Sequence, residues 1–390
     1  MAINLPEQKE ENIDFDSQIN EASGEEEKSE KKSFMDKINS FLLRFSRVPL
    51  KEKLFFVQYL GIMLKAGISL SKCLNTLAIQ TPNKRFAVII NDIGKNVEKG
   101  KSFTESLNNH KKIFGELFIN MIEAGELSGN LEDVLKQLYV QLKKQNELIS
   151  KVKGALTYPA VIIFAMGGIG IFMMVMVVPK LTDMLENFNA ELPLATKILI
   201  AVSDFISNNI FISAIASIVF VLIFVQILRT YKGKYYFQAI ILKMPIFSGI
   251  VKKINLARFS LTVSSLLKSD IMIIKTFQIT ANVLGNLHYR QAVNEMSEKL
   301  KKGSQINEIV SAYPKLFPPI VNQIISVGEE TGELDSILAE LAEFYDNEVN
   351  KVMDNLPSII EPILILILGS GVGGMAVAII MPMYTLTSSV

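Results

Sequence analysis

The chain is poor in residues that carry chemistry. Among 390 residues there is one cysteine, Cys73, and there are two histidines, His110 and His288. A lone cysteine forms no intrachain disulfide and builds no thiolate metal cluster, so Cys73 is expected as a small buried hydrophobe. The two isolated histidines are expected at the surface, as neither ligands nor bases. No Gly-x-x-x-x-Gly-Lys-Ser/Thr phosphate loop occurs, so nucleotide hydrolysis by the chain itself is not expected. A Gly-x-Ser-x-Gly elbow and a His-Glu-x-x-His pair are also missing. No cofactor is expected. The net charge is +1, so the overall balance carries no nucleic-acid signature. The first residues are acidic and polar, and no secretory signal is expected there.

Apolar residues, by contrast, are abundant. They make up 49 % of the chain, and the mean hydropathy is +0.31. Three stretches, about 160–178, 210–228 and 363–381, lack charge. Each is long enough to cross a hydrocarbon core of about 30 Å at about 1.5 Å per helical residue. Lys143, Lys144, Lys151 and Lys153 precede the first stretch, and Arg229, Lys232 and Lys234 follow the second. The connection 179–209 carries only two lysines, Lys180 and Lys197, beside four acidic residues. The positive-inside rule then expects the N-terminal region and residues 229–357 in the cytoplasm, with 179–209 and the C-terminus outside. The spans hold no Asp, Lys, Arg or His of the kind that marks an ion or proton path. Glu361 is the one carboxylate near a span, at its expected cytoplasmic end.

The chain also repeats itself. Gly125-Glu126-Leu127-Ser128-Gly129 returns as Gly328-Glu329-Glu330-Thr331-Gly332, a shift of 328 − 125 = 203 residues. The same shift carries Gly100 to Gly303, Phe114 to Phe317, Leu131 to Leu334, Pro159 to Pro362 and Pro179 to Pro382. Roughly a hundred and twenty residues in one ungapped register define a true repeat. Each copy reads as a cytoplasmic unit followed by an outgoing span. The second span has no counterpart and returns the chain to the cytoplasm. Gly167, Gly168 and Gly170 align with Ser370, Gly371 and Gly373, small residues that let helices approach closely in lipid.

Helical periodicity runs through each unit, as with Leu54, Val57, Leu60 and Leu64 on one face. The expected fold is all-α: an integral membrane protein with two repeated six-helix cytoplasmic bundles and three transmembrane helices. The expected parts are an acidic tail with a short amphipathic helix (1–49) and a first helical domain (50–155). A first span (156–179), an external loop (180–209) and a second span (210–228) follow. A second helical domain (229–357), a third span (358–383) and an external tail (384–390) complete the chain. Gly67 is expected as a left-handed helix cap, with Asp270 in its place in the second copy. Ser102 and Glu105 are spaced as a capping box. The Gly-Glu-x-Ser/Thr-Gly segment is expected as a tight turn between the fifth and sixth helices. There glycine supplies positive φ and Ser128 or Thr331 caps the following helix.

Lys65-Ala66-Gly67-Ile68-Ser69-Leu70, Gly125 to Leu131, Tyr158-Pro159, Gly328 to Leu334 and Glu361-Pro362 together resemble the type II secretion F domain family. The resemblance covers about residues 50–385. It implies a platform protein in the cytoplasmic membrane of a type IV pilus or type II secretion machine. The implied partners are a hexameric assembly ATPase, pilin or pseudopilin subunits and other inner-membrane assembly proteins. The small-residue faces of the spans lead us to expect a homo-oligomer embedded in the bilayer, and the charge balance leads us to expect no nucleic-acid partner. If the two turns face the ATPase, replacing Glu126 or Glu329 by Lys should disturb partner binding more than folding. The alternative, a transporter or permease subunit, needs polar residues at mid-membrane. A membrane-anchored enzyme needs a phosphate loop or catalytic cluster.

Overall fold

The computed structural model describes residues 48–186 and 194–388. The acidic segment 1–33 and the amphipathic helix expected near residues 34–45 lie outside the described residues. The described residues are helical, with no strand among them.

The described part of the chain separates into two compact units, divided after Ser106. In the first unit, α1 (Leu50–Lys65), α2 (Leu70–Gln80) and α3 (Lys84–Glu98) are joined by short turns. Leu54, Val57 and Leu60 are buried along one face of α1, as their spacing predicts. The Phe56 and Phe86 rings meet edge to face, 5.6 Å apart at 72°, a favoured aromatic geometry. Asn83 starts α3 by accepting the Phe86 N–H at 3.0 Å. Cys73 is fully buried, as expected, and its thiol lies 3.5 Å from the Ile68 carbonyl. Helix α4 (Phe103–Asn108) crosses the division between the units. Ser102 caps it, accepting the Glu105 N–H at 3.0 Å. Glu105 pairs with Lys101 at 3.2 Å.

The second unit opens with α5 (Lys111–Phe114), α6 (Glu116–Leu127) and α7 (Leu131–Phe172). Helix α7 joins the sixth helix of the first copy to its span without a break, passing through Pro159. One π-helical turn, Met173–Val177, leads into α8 (Val178–Glu186). The connection then folds into α9 (Leu194–Asn208), although it is expected as a loop. Its polar side chains seat it on two spans. Thr196 donates to the Ala378 carbonyl at 2.6 Å and Ser203 to the Met174 carbonyl at 2.5 Å. Each hydroxyl thus bonds a carbonyl in a neighbouring span helix.

The second span is α10 (Ile210–Arg229), followed by α11 (Tyr231–Ile241). The second copy is α12 (Pro245–Leu267), α13 (Ile273–Val283), α14 (Leu287–Lys301), α15 (Ile306–Ser311), α16 (Pro319–Thr331) and α17 (Leu334–Ser388). Its core gathers Phe259, Phe277, Tyr289, Phe317, Leu338, Leu341 and Tyr345. Phe259 is fully buried between Phe277 and Phe317, where truncation to Ala costs about 3–5 kcal/mol. The Tyr289 hydroxyl is satisfied by donating to the Leu316 carbonyl at 2.6 Å. A second apolar cluster, Leu148 with Val349, Met353 and Leu356, ties α7 to α17.

Three helical stretches are long and apolar enough to cross a membrane: Leu131–Lys180, Ile210–Arg229 and Leu334–Ala378. In the second, none of the apolar window is buried inside the protein. Phe164, Phe220 and Leu366 are 86 %, 71 % and 69 % exposed. Apolar surface on that scale is unfavourable in water and favourable in lipid.

Candidate functional site

The repeated Gly-Glu-x-Ser/Thr-Gly segment is only partly a turn. Gly125 and Glu126 belong to the last turn of α6, and Gly328, Glu329 and Thr331 to the last turns of α16. The first glycine of each copy allows close packing, where a positive φ was expected. A Cβ on Gly125 would stand 3.0 Å from the Val134 Cβ and 3.2 Å from the Leu131 Cα. A Cβ on Gly328 would stand 3.2 Å from the Leu334 Cα. The second glycine does supply positive φ, 69° at Gly129 and 75° at Gly332. Gly67 caps α1 at φ 78°, and its counterpart Asp270 holds φ 57°, the one positive-φ residue other than glycine among those described.

Two expectations for this segment are corrected. Ser128 does not cap α7; its hydroxyl turns back to the Gly125 carbonyl at 3.5 Å. Thr331 likewise donates to the Val327 carbonyl at 2.9 Å and accepts the Glu333 N–H at only 3.4 Å. In the last turn, carbonyls lack helical partners and attract a nearby hydroxyl. Nor does Glu329 offer a free carboxylate to a partner. Its two oxygens accept the backbone N–H groups of Ile306 at 2.7 Å and Asn307 at 3.0 Å, capping α15. Glu126 is half-buried at the matching place in α6.

Gly328, Glu329, Gly332 and Asp270 line one shallow cleft together with Gln137, which comes from the first copy. Motif residues more than fifty positions apart are therefore neighbours. Pro159 is buried within α7, whereas Glu361 and Pro362 are exposed within α17. Among the described residues, no atom beyond the local helix backbone lies within 4 Å of a Cβ built at the aligned span glycines Gly167, Gly168, Gly170, Gly371 or Gly373. His288 is half-buried instead of exposed, its Nε2 3.2 Å from the Tyr235 carbonyl and its ring 4.1 Å from the Tyr235 ring.

The largest feature missed from the sequence is a polar seam between the first copy and the second, inside the second unit. Gln141 donates to the Thr262 hydroxyl at 3.2 Å and accepts from Ser265 at 3.1 Å. Gln137, one turn earlier, donates to the Lys268 carbonyl at 3.3 Å and accepts from Ser269 at 2.7 Å. Lys144 pairs with Asp346 at 3.0 Å, which raises the ammonium pKa. At the far end, Glu123 pairs with Lys275 at 3.0 Å, and Glu116 accepts from Asn282 at 2.6 Å. Lys111, then Asn282, hold the Glu116 carboxyl below the usual carboxylate range. One signal was legible beforehand. At the 203-residue offset Thr262, Ser265 and Ser269 face Tyr59, Ile62 and Ala66, so these positions differ in kind between copies.

Comparison with known proteins follows the same repeat. The type II secretion system protein F family matches the chain twice, over residues 56–179 and 259–382. Both ends of the matches differ by 203 residues, 259 − 56 and 382 − 179. The chain is similar to the type IV pilus assembly protein PilC of Thermus thermophilus, 33 % identical over 335 residues, 86 % of this chain and 82 % of that protein. It is 32 % identical to the protein of the same name from Myxococcus xanthus, over 89 % of this chain and 83 % of that one. It is 28 % identical to the type II secretion system protein F of Vibrio cholerae, over 83 % of this chain and 79 % of that one.

Proposed function

Since the chain belongs to the type II secretion system protein F family, we propose that it is the inner-membrane platform of a type IV pilus or type II secretion machine. The observation that carries this reading is the double family match in the register of the internal repeat, each copy leading into an apolar span. The relatives' names support a role in pilus assembly or secretion. In this role the chain performs no catalysis. It couples a cytoplasmic hexameric ATPase to the transfer of pilin or pseudopilin subunits from the bilayer into a filament.

The cytoplasmic surfaces are the helical domains at 50–155 and 229–357, and the spans lie within 156–179, 210–228 and 358–383. The N-terminus is cytoplasmic and the C-terminus lies outside. Lysines before the first span and after the second support that orientation. Helix α9 then sits at the outer face, held to two span helices by Thr196 and Ser203. Exposed cytoplasmic helices suit the ATPase, and glycine faces open to lipid suit contact with other spans, including those of further inner-membrane assembly proteins.

The test is cross-linking in native membranes with a tag at the cytoplasmic end, followed by detergent purification and mass spectrometry. Recovery of a secretion-type ATPase with a pilin or pseudopilin is the expected result. Recovery of a soluble substrate-binding protein with neither of them contradicts the platform reading and favours a transporter.

A further inference from the structure

Helix α11 leaves the second span at a fixed corner. Thr230 ends α10 in extended geometry, at φ −69° and ψ 148°, and its hydroxyl accepts the Gly233 N–H at 3.2 Å. A Cβ on Gly233 would overlap the Ile227 carbonyl oxygen, so the corner admits no side chain there. The far end of α11 is placed as well. It leads into α12, which runs antiparallel to α7, with Ser269 opposite Gln137 and Thr262 opposite Gln141. The first turns of α12 therefore lie nearest the spans. There Ile250 joins the same apolar cluster as Val152 and Ala155 of α7 and Ile360 of α17, at the bases of the other two spans. Both ends of α11 thus stand where the spans enter lipid. Its 11 residues, roughly 16 Å of helix, run along that level.

The two faces of α11 differ. One is docked on the second copy, where Gln238 donates to the Gly285 carbonyl at 3.3 Å and accepts the Leu287 N–H at 2.7 Å. The other carries Tyr236, Phe237 and Ile240, which are 68 %, 40 % and 59 % exposed. Lys232 and Lys234 lie to either side of it at 100° per residue. An exposed apolar face flanked by lysines is the pattern of a helix lying in the headgroup layer.

Beside α11 opens a cleft of about 580 Å³, lined by Tyr235, His288, Lys243, Lys252 and Lys315. Among the described residues none of these three ammonium groups enters a salt bridge. The one carboxylate of the cleft, Glu295, accepts from Tyr313 and Gln291 instead. Three cations therefore face a single carboxylate that is already hydrogen-bonded, at the level of the lipid headgroups. Lysines so placed attract anionic lipid at the membrane surface, and basic pockets at the ends of spans take phosphate headgroups.

We propose that α11 lies in the headgroup layer and that the cleft beside it holds the phosphate of an anionic phospholipid. The acyl chains of that lipid pass along Tyr236, Phe237 and Ile240 into the bilayer. A zwitterionic lipid brings no net charge to the three lysines, so the site selects anionic lipid. This inference rests on the three spans and goes beyond the platform reading, which stands or falls separately on recovery of an ATPase and a pilin.

The chain contains no tryptophan, so a single introduced one is a unique fluorophore. The experiment places the full chain in lipid nanodiscs with Tyr236→Trp, and uses Phe220→Trp in α10 as the lipid-facing control. Brominated phosphatidylcholine should quench both. Quenching of Phe220→Trp alone overturns the placement of α11 and leaves its face to a protein partner. In phosphatidylcholine discs with a minority of brominated lipid, brominated phosphatidylglycerol should quench Tyr236→Trp more than the same share of brominated phosphatidylcholine. The preference expected is about fivefold for each engaged lysine. Adding Lys243→Gln, Lys252→Gln and Lys315→Gln together should make the two lipids quench alike. Adding Lys136→Gln, Lys268→Gln and Lys302→Gln, which removes the same charge elsewhere, should keep the preference. Equal quenching by both lipids in the Tyr236→Trp chain, or an equal loss of preference in both triple variants, overturns the headgroup site.

Discussion

Glu329 and Ile306 are joined by a 2.7 Å hydrogen bond from a backbone N–H to a side-chain oxygen. The second oxygen takes the next N–H, that of Asn307, at 3.0 Å. An acidic residue that looks free for a partner in the sequence is thus a helix cap from a distant segment. Glu329→Ala should lower stability by about 1–2 kcal/mol, the usual loss for a cap. Glu329→Lys should lower it further, because a cation at a helix start opposes the helix dipole. Thermal unfolding of the detergent-purified chain reads both, and an unchanged midpoint for Glu329→Lys would return this residue to partner binding.

The two glycines of each motif should fail in different ways. Gly125→Ala introduces a Cβ 3.0 Å from the Val134 Cβ, and overpacking of this kind costs about 1–3 kcal/mol. Gly129 has nothing within 4 Å of its Cβ direction but holds φ 69°. There Gly129→Asn should be tolerated and Gly129→Val should not, since Asn visits left-handed geometry and a β-branched residue resists it. Equal midpoints for Gly129→Asn and Gly129→Val would rule out a backbone origin.

Acid sensitivity follows from Glu116. Its carboxyl pKa is held below the ordinary 4.5, first by Lys111 and then by Asn282. A depressed folded-state pKa contributes stability that is present above the unfolded value and lost as pH falls through the folded value. Glu116→Gln should therefore flatten the fall in unfolding midpoint below about pH 4.5 and change little at pH 7 beyond a constant offset. A wild-type and Glu116→Gln pair with parallel midpoint curves between pH 5 and about pH 3 contradicts this.

Orientation is open to single-cysteine labelling in the Cys73→Thr background. Lys197 in α9 and Lys302 after α14 are both exposed. Lys197→Cys should react with a membrane-impermeant maleimide on the outer face of the intact inner membrane. Lys302→Cys should react only after lysis. The reverse pattern inverts the topology.

Much of the fold was legible because it rests on local rules. The 203-residue register, the charge-free stretches and the left-handed caps at Gly67, Gly129 and Gly332 all follow from residue identity alone. Helix α9 was not legible as part of the membrane assembly. Its recruitment depends on Thr196 and Ser203 finding carbonyls in helices far away in sequence. The seam built on Gln137 and Gln141 escaped for the same reason, since an exposed-looking glutamine acquires meaning only from Thr262, Ser265 and Ser269 opposite it. The misreading of Ser128 had a different origin. A serine between two helices caps either one, and here the carbonyl behind it won over the N–H groups ahead.

The most direct test of the platform role is to delete the chain from its own cell and measure where the pilin or pseudopilin subunits reside. The platform role predicts that filaments or secretion are lost, that the subunits accumulate in the inner membrane, and that re-expression of the chain restores assembly. Filaments or secretion at undiminished levels in the deletion strain would contradict it.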